Sequence, residues 1–460
     1  MRRPVVAIVG AGFSGALTAL NILKTPGSRA RVHLIEQAER FGVGAAFGAR
    51  QPDHLLNVRA MNMSADPDSP DDFARWLGAR RKRPAEPFAF ASRAEYGAYI
   101  QDHLRQVVQS KAAADRLDLV GDQVTAIHPD GDGFELRLAL GRTLGADAVV
   151  LATGNAPPSG AVLPDPAFAD HPSYVGDPWT PGALDAVGPD DPILLLGAGL
   201  TMVDVVASLD AFGHRGAILA LSRRGLLPRR HARVEIAATT WRRAPGEPLS
   251  ASLHRFRREA ERSGDWRGVF DALRAQTQSC WKAMPLAKRQ RFLRHLRPWW
   301  DAHRHRLAPV MANRLDGWLA GRLRVAAGRL EHLADRDGAI TATWKARGAD
   351  ERQDRTVRRV INCTGPEGDP RQSRSPLVAQ LLRQGLIRPD PLGLGMDTNE
   401  DGQLIAADGD AHRGLFAIGP VARGALWEIT AVPDIRVEAQ RLGRTLAAME
   451  LATARVSRCP

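Results

Sequence analysis

No run of eighteen uninterrupted apolar residues occurs in the 460-residue chain, so the sequence offers no candidate transmembrane helix. Cysteine is scarce as well. Cys280, Cys363 and Cys459 form no CxxC pair, and no two of them lie within eighty residues of each other. That excludes a disulfide framework, a zinc cluster and the paired thiols on which disulfide reductases depend. Lysine is rare too, 6 residues against 57 arginines, a skew that speaks of genome composition as much as of guanidinium chemistry. Low-complexity blocks are absent, and 44% hydrophobic with 25% charged residues is an ordinary globular balance. The length suits two or three domains at roughly 100–200 residues each. The stretch ahead of the first apolar strand pattern, Met1 to Pro4, is too short for a secretory signal, and from it we expect a cytoplasmic protein.

The charge of +12 is local. Residues 241–330 hold 20 arginines and lysines against 7 aspartates and glutamates, more than the whole chain's excess. A feature confined to one segment serves that segment, and it does not favour nucleic acid as a partner. The same region carries Trp266, Trp281, Trp299, Trp300 and Trp318 and is helical in pattern from about 245 to 325. Two readings stand: a helical cap whose tryptophans pack and whose arginines are solvated, or a lid that selects an anionic substrate. His303 and His305 are two residues apart, which does not place both on one helical face, so no metal site is expected.

The opening reads strand–turn–helix–strand: VVAIVG, AGFSGALTALNILK, RVHLIE. In Gly10-Ala11-Gly12-Phe13-Ser14-Gly15 the first glycine permits a tight turn and the second lets backbone approach a pyrophosphate. The third permits close helix packing, and the helix N-terminus faces the phosphate charge. Glu36, 21 residues after Gly15, ends the next strand, where an acid accepts hydrogen bonds from ribose hydroxyls. An apolar strand ending in Ala152-Thr153-Gly154 supports the same site and precedes a proline- and glycine-rich crossing over 155–192.

A second such opening lies about 190 residues on, at Gly197-Ala198-Gly199-Leu200-Thr201-Met202 after the strand Ile193–Leu196. Met202 stands where a third glycine belongs, which predicts a looser helix–strand contact. The following strand ends at Ser222, and Arg223-Arg224 replaces the acid. Paired guanidiniums bind a 2′-phosphate through charge-assisted, bidentate hydrogen bonds, so NADPH is favoured over NADH.

With HLLNV at 54–58, GLTMVD at 199–204, SRRG at 222–225, NCTGPEGD at 362–369 and WEITAVPDIR at 427–436, the chain resembles a bacterial FAD/NAD(P)-binding family of flavoproteins with two dinucleotide-binding domains, distantly similar to lysine and ornithine N-hydroxylases. The resemblance implies an α/β fold. Two Rossmann-like dinucleotide-binding domains are expected: a discontinuous FAD domain over 1–160 and 355–450, and an inserted NADPH domain over 190–350 that carries the helical Trp/Arg-rich insertion. It adds Gly365 and Gly419 to the cofactor-binding residues. It also brings the late strand ending Ala417-Ile418-Gly419 to the flavin, although Pro420 replaces the acid usual after that glycine.

The sequence further narrows the flavin chemistry. The F-x-G-x-x-x-H fingerprint of Baeyer–Villiger and flavin-containing monooxygenases is only echoed, by Phe168 and His171 three residues apart, and His171 reads as a satisfied linker histidine. What remains is a single-component monooxygenase: NADPH reduces FAD, oxygen forms a flavin hydroperoxide, and a nucleophilic substrate such as an amine or amino acid takes the distal oxygen. The cofactor carries such a reaction, and the protein supplies binding, orientation and water exclusion. Asn57, Glu428 and Arg436 are the candidate substrate residues, with Glu428 for an amine and Arg436 for a carboxylate. The alternative is that those two pair with each other. Two other functions stay open: an NADPH-dependent reductase passing electrons to a quinone, metal or protein, and a non-catalytic nucleotide- or nucleic-acid-binding protein.

Overall fold

The computed structural model describes residues 3–38, 40–48, 51, 53–110, 113–160, 163–232, 236 and 239–456, the last eight by backbone only. Cys459 lies outside them. The chain divides into two compact units. The first comprises Met1–Arg50, Arg59–Ala156 and Gly368–Pro460, the second Gln51–Val58 and Pro157–Glu367.

The first unit is built on a six-stranded sheet, in the order β15 (Gln403–Ile405), β16 (Ala411–Ala417), β7 (Ala148–Leu151), β1 (Val5–Val9), β2 (Arg31–Ile35), β3 (Leu117–Val120). All neighbours are parallel except the edge pair β15–β16. β1 and β7 are buried nearly end to end, as expected for central parallel strands covered on both faces. The crossover helix α1 (Phe13–Lys24) packs against the final helix α13 (Val432–Val456). Around this core stand α2 (Gly44–Phe47), α3 (Asp72–Arg81), α4 (Arg93–Gln109) and α12 (Pro376–Arg383). A small antiparallel sheet of β4 (Val124–Asp130), β5 (Gly133–Leu138) and β6 (Thr143–Ala146) completes the unit.

The second unit holds a seven-stranded sheet in the order β13 (Arg352–Val357), β12 (Ala339–Ala346), β11 (Leu323–Arg336), β10 (Ile218–Ser222), β9 (Ile193–Leu196), β14 (Arg359–Asn362), β8 (Tyr174–Val175). From β8 to β11 the pairing is parallel, and β11–β12–β13 is an antiparallel meander. Helix α5 (Leu200–Ala211) follows β9. Six helices, α6 (Leu249–Ser263), α7 (Trp266–Arg274), α8 (Thr277–Lys282), α9 (Leu286–His295), α10 (Arg297–Arg304) and α11 (Pro309–Ala320), lie between β10 and β11.

Three sequence expectations need correction. The helical stretch stops at Ala320, and the chain is already strand at Leu323. The second FAD segment, expected from 355, starts at 368, because β14 pairs with β9 and β8 inside the second unit. Residues 51–58, expected within the first FAD segment, belong to the second unit. Four contacts hold them there. The Asp53 carboxylate meets Arg314 at 3.0 Å. His54 Nε2 lies 2.8 Å from Ser208 Oγ and 3.2 Å from the Asp204 carbonyl. His231 donates to the Asn57 carbonyl at 2.9 Å.

In the helical segment the aromatic and cationic side chains satisfy one another. Trp241, Trp281, Trp300 and Trp318 are buried, whereas Trp299 is exposed. Arg255 stands over Trp241, Arg267 and Arg306 over Trp266, Arg289 over Trp281 and Arg314 over Trp318, all within 5.5 Å of the ring centre. Stacked guanidiniums keep their charge while covering the indole faces. His171, the linker histidine, stacks on Phe168 and meets Asp335 at 3.1 Å.

Candidate functional site

In the first unit four separate segments converge on the turn between β1 and α1. Gly10 has φ +98°, and a Cβ there would stand 2.5 Å from the Ala152 carbonyl oxygen, so the end of β7 fixes this position as glycine. A Cβ on Gly15 would lie 1.9 Å from the Gly10 oxygen, which lets α1 start directly against the strand. The Glu36 carboxylate, at the end of β2, accepts the Ala11 N–H at 3.0 Å and so sits beside the turn. Gly419, φ +80°, packs on Ser14: a Cβ would come 2.4 Å from its hydroxyl oxygen. Thr153 and Gly154 (φ +71°) carry the chain away from the turn, with open space beside Gly154.

A fourth approach was not anticipated from the sequence. Gly44 (φ +52°) backs onto Gly12, and the Gly42 N–H donates to the Ala11 carbonyl at 2.7 Å. The signal for it is GVGAAFG at 42–48, three glycines a few residues beyond the acidic strand end.

The second unit repeats this construction. Gly197, φ +119°, would place a Cβ 2.4 Å from the Cys363 carbonyl oxygen at the end of β14. Thr364 and Gly365 (φ +90°) then follow, as Thr153 and Gly154 follow Ala152. The buried Asn362 side chain shapes that turn, its amide oxygen accepting from the Thr364 N–H at 3.1 Å and hydroxyl at 2.7 Å. Met202 is completely buried, so this helix accommodates a side chain where α1 accommodates none. Thr201 is half-buried beside it, in the first turn of α5. Burial pushes the Cys363 thiol well above its usual range, which leaves it a packing group without thiolate chemistry.

Both turns fit a dinucleotide. α1 and α5 begin at Gly12 and Gly199 with no side chain capping them. Uncapped N–H groups at a helix start are what a pyrophosphate needs. Nothing lies within 4 Å of a Cβ built on Gly199. Past β10, exposed Arg223 and half-buried Arg224 follow Ser222, whose hydroxyl accepts the Gly225 N–H at 3.0 Å.

The three candidate substrate residues fall in both units. Asn57 is in the second, half-buried, its carbonyl held by His231. Glu428 and Arg436 are in the first. Glu428 is buried in the turn ahead of α13. Arg436 donates to the Ser64 carbonyl at 2.9 Å rather than to Glu428. Ser64 opens a loop whose far end, Asp72, accepts from the Tyr99 hydroxyl at 2.6 Å and from His103 at 3.1 Å. The His103 bond is the largest influence holding the Asp72 carboxyl below its ordinary value.

Residues 7–156 match a family described as FAD-NAD(P)-binding. The chain is 30% identical over 285 residues to the L-aspartate N-monooxygenase (nitrosuccinate-forming) of Streptomyces cremeus, covering 50% of this chain and 42% of that protein. It is 28% identical over 232 residues to a nitrosuccinic acid synthase of Aspergillus oryzae, covering 44% and 35% respectively. The chain therefore spans less than half the length of these relatives. Among solved structures, the ornithine hydroxylase of Pseudomonas aeruginosa superposes with a TM-score of 0.64 at 15% identity, over 98% of this chain and 99% of that one.

The chain is thus similar in sequence to an aspartate N-monooxygenase over half of its length and shares the fold of the ornithine hydroxylase. Among the described residues no helix is long and apolar enough to cross a membrane.

Proposed function

We propose that this chain is an NADPH-using, FAD-dependent N-monooxygenase acting on the amine of a small amino acid, with L-aspartate the first substrate to test. The observation that carries the reading is the pair of matched glycine turns, each locked by a carbonyl from a Thr-Gly strand end, in a chain related to an aspartate N-monooxygenase. Bound FAD would supply hydride acceptance and oxygen activation. One round consumes NADPH, a proton and O2 and yields a hydroxylamine, NADP+ and water.

The protein's own residues bind and orient. Gly10, Gly12, Ser14, Gly15, Glu36, Thr153, Gly154 and Gly419 hold FAD in the first unit. Gly197, Gly199, Thr201, Gly365 and the Arg223-Arg224 pair hold NADPH in the second. Asn57, Glu428 and Arg436 serve the substrate. Arg436 does so in part as a positioning residue, since its guanidinium anchors the loop that starts at Ser64. Dependence on NADPH suits the cytoplasm.

The test is oxygen uptake and product analysis with NADPH, with and without L-aspartate, ornithine and lysine. Amine-dependent uptake with an N-oxygenated product supports the proposal. NADPH oxidation that no amine stimulates, and that a quinone accelerates, supports a reductase instead.

A further inference from the structure

We infer that Arg347, 124 residues beyond Arg223 in sequence, is a third guanidinium of the NADPH site and a determinant of its preference for the 2′-phosphate. The inference rests on the reading that the second unit takes NADPH, and it adds a residue that no motif contains.

The geometry begins with the sheet. Strand β10 pairs in parallel with β9 on one side, Leu221 opposite Leu196, and with β11 on the other, Ser222 opposite Ala327. Ser222 therefore ends level with the Gly197 turn, whose N–H donates to the Leu221 carbonyl at 2.8 Å. The chain then folds back over Ala327. Gly225 has φ +62°, and a Cβ built on it would stand 3.2 Å from the Ala327 Cβ.

Arg347 follows β12 at the same place. Its N–H donates to the Ala327 carbonyl at 2.9 Å, and its Nη1 donates to the Arg223 carbonyl at 3.3 Å. One side chain thus holds the backbone of the Arg223-Arg224 turn and adds its own charge there.

What this cluster lacks is as telling. Among the described residues none of these three guanidiniums forms an ion pair with a carboxylate. Elsewhere in the same unit Arg215 meets Asp190, and Arg314 and Arg322 meet Asp210. Like charges gathered on one turn repel unless an anion joins them, and a dianionic phosphate accepts bidentate bonds from several guanidiniums. Arg347 and Arg223 are exposed, so both can reach a bound ligand.

The test uses the full-length protein and titration calorimetry with 2′,5′-ADP and with 5′-AMP, which differ only in the 2′-phosphate. Arg347→Ala and Arg347→Gln should each weaken 2′,5′-ADP about tenfold or more, the range of a charged hydrogen bond, and change 5′-AMP less than about twofold. Glutamine can still donate to the Arg223 carbonyl but carries no charge. Rescue by Arg347→Gln would overturn the inference, because the residue would then be supporting the turn alone. Unchanged 2′,5′-ADP affinity in both variants, or equal losses for both ligands, would overturn it as well. If Arg223→Ala with Arg224→Ala abolishes the 2′-phosphate preference while the Arg347 variants keep it, this inference fails and the NADPH reading stands. If the unmodified protein shows no preference for 2′,5′-ADP, the NADPH reading itself falls and takes Arg347 with it.

Discussion

The carbonyl oxygen of Cys363 occupies the space in which a side chain on Gly197 would begin, 2.4 Å from the position of its Cβ. The same relationship holds between Ala152 and Gly10 at 2.5 Å. In each unit a parallel strand from far along the chain ends against the first glycine of the turn, so sheet assembly and formation of the nucleotide turn are one event. The glycines around these turns then separate into those the fold requires and those only a ligand requires.

In the second unit the separation is clean. Gly197→Ala should fold poorly, since the Cβ meets backbone and the residue sits at φ +119°. Gly199→Ala has nothing within 4 Å of its Cβ, so its melting temperature should match the parent while NADPH affinity drops. Thermal melts paired with NADP+ titration check this. Normal NADP+ affinity in Gly199→Ala would remove the pyrophosphate from that turn.

The first unit gives the parallel case. Gly15→Ala would press on the Gly10 oxygen at 1.9 Å and should prevent folding. Gly12→Ala finds its nearest protein atom, the Gly44 Cα, at 3.4 Å, an ordinary contact. It should yield folded protein with little FAD, and Gly12→Val even less. Flavin content after gel filtration, read beside circular dichroism, decides. Full FAD in folded Gly12→Val would sink the assignment of this turn.

How much of this was legible beforehand follows from the range of each signal. Gly10, Glu36 and Gly197 sit in short motifs where strand, turn and helix are contiguous, and such signals survive in sequence. Strand β11 did not announce itself: it pairs with β10 over one half and β12 over the other, and its burial pattern alternates poorly. The docking of 51–58 on the second unit depends on His231, Ser208 and Arg314, partners about 150 residues or more away, which no local pattern encodes. Arg347 was invisible for the same reason.

The loop anchored by Asp72 should carry a pH signature. Hydrogen bonds from His103, the largest influence, and from Tyr99 hold the Asp72 carboxyl below its ordinary value of 3.8. A depressed carboxyl stabilises the fold fully above its unfolded pKa, and the contribution is lost as pH falls through the lower folded value. Asp72→Asn should therefore cost about 1.5 kcal/mol or more near neutrality, and the gap to the parent should narrow as pH falls below the ordinary carboxyl range. Denaturant melts across pH 7 to 2.5 test it, and a gap independent of pH would contradict the assignment.

In the helical segment, Trp281 is 1% exposed and packs against Phe292 and the Arg289 guanidinium. Trp281→Ala should destabilise the second unit by about 3–5 kcal/mol. Replacing the exposed Arg291 and Arg294 should leave the melt unchanged, as solvated charges contribute little to stability. Equal melting of the Trp281 variant and the parent would show that these helices do not form a packed cap.

Whether the chain is a flavoprotein reduced by NADPH can be read from the visible spectrum of the purified protein under air-free titration with NADPH. FAD should be bound one per chain, bleached by one equivalent of NADPH and far more slowly by NADH. A folded protein that takes up no FAD, or whose bound FAD is untouched by NADPH, would contradict this reading.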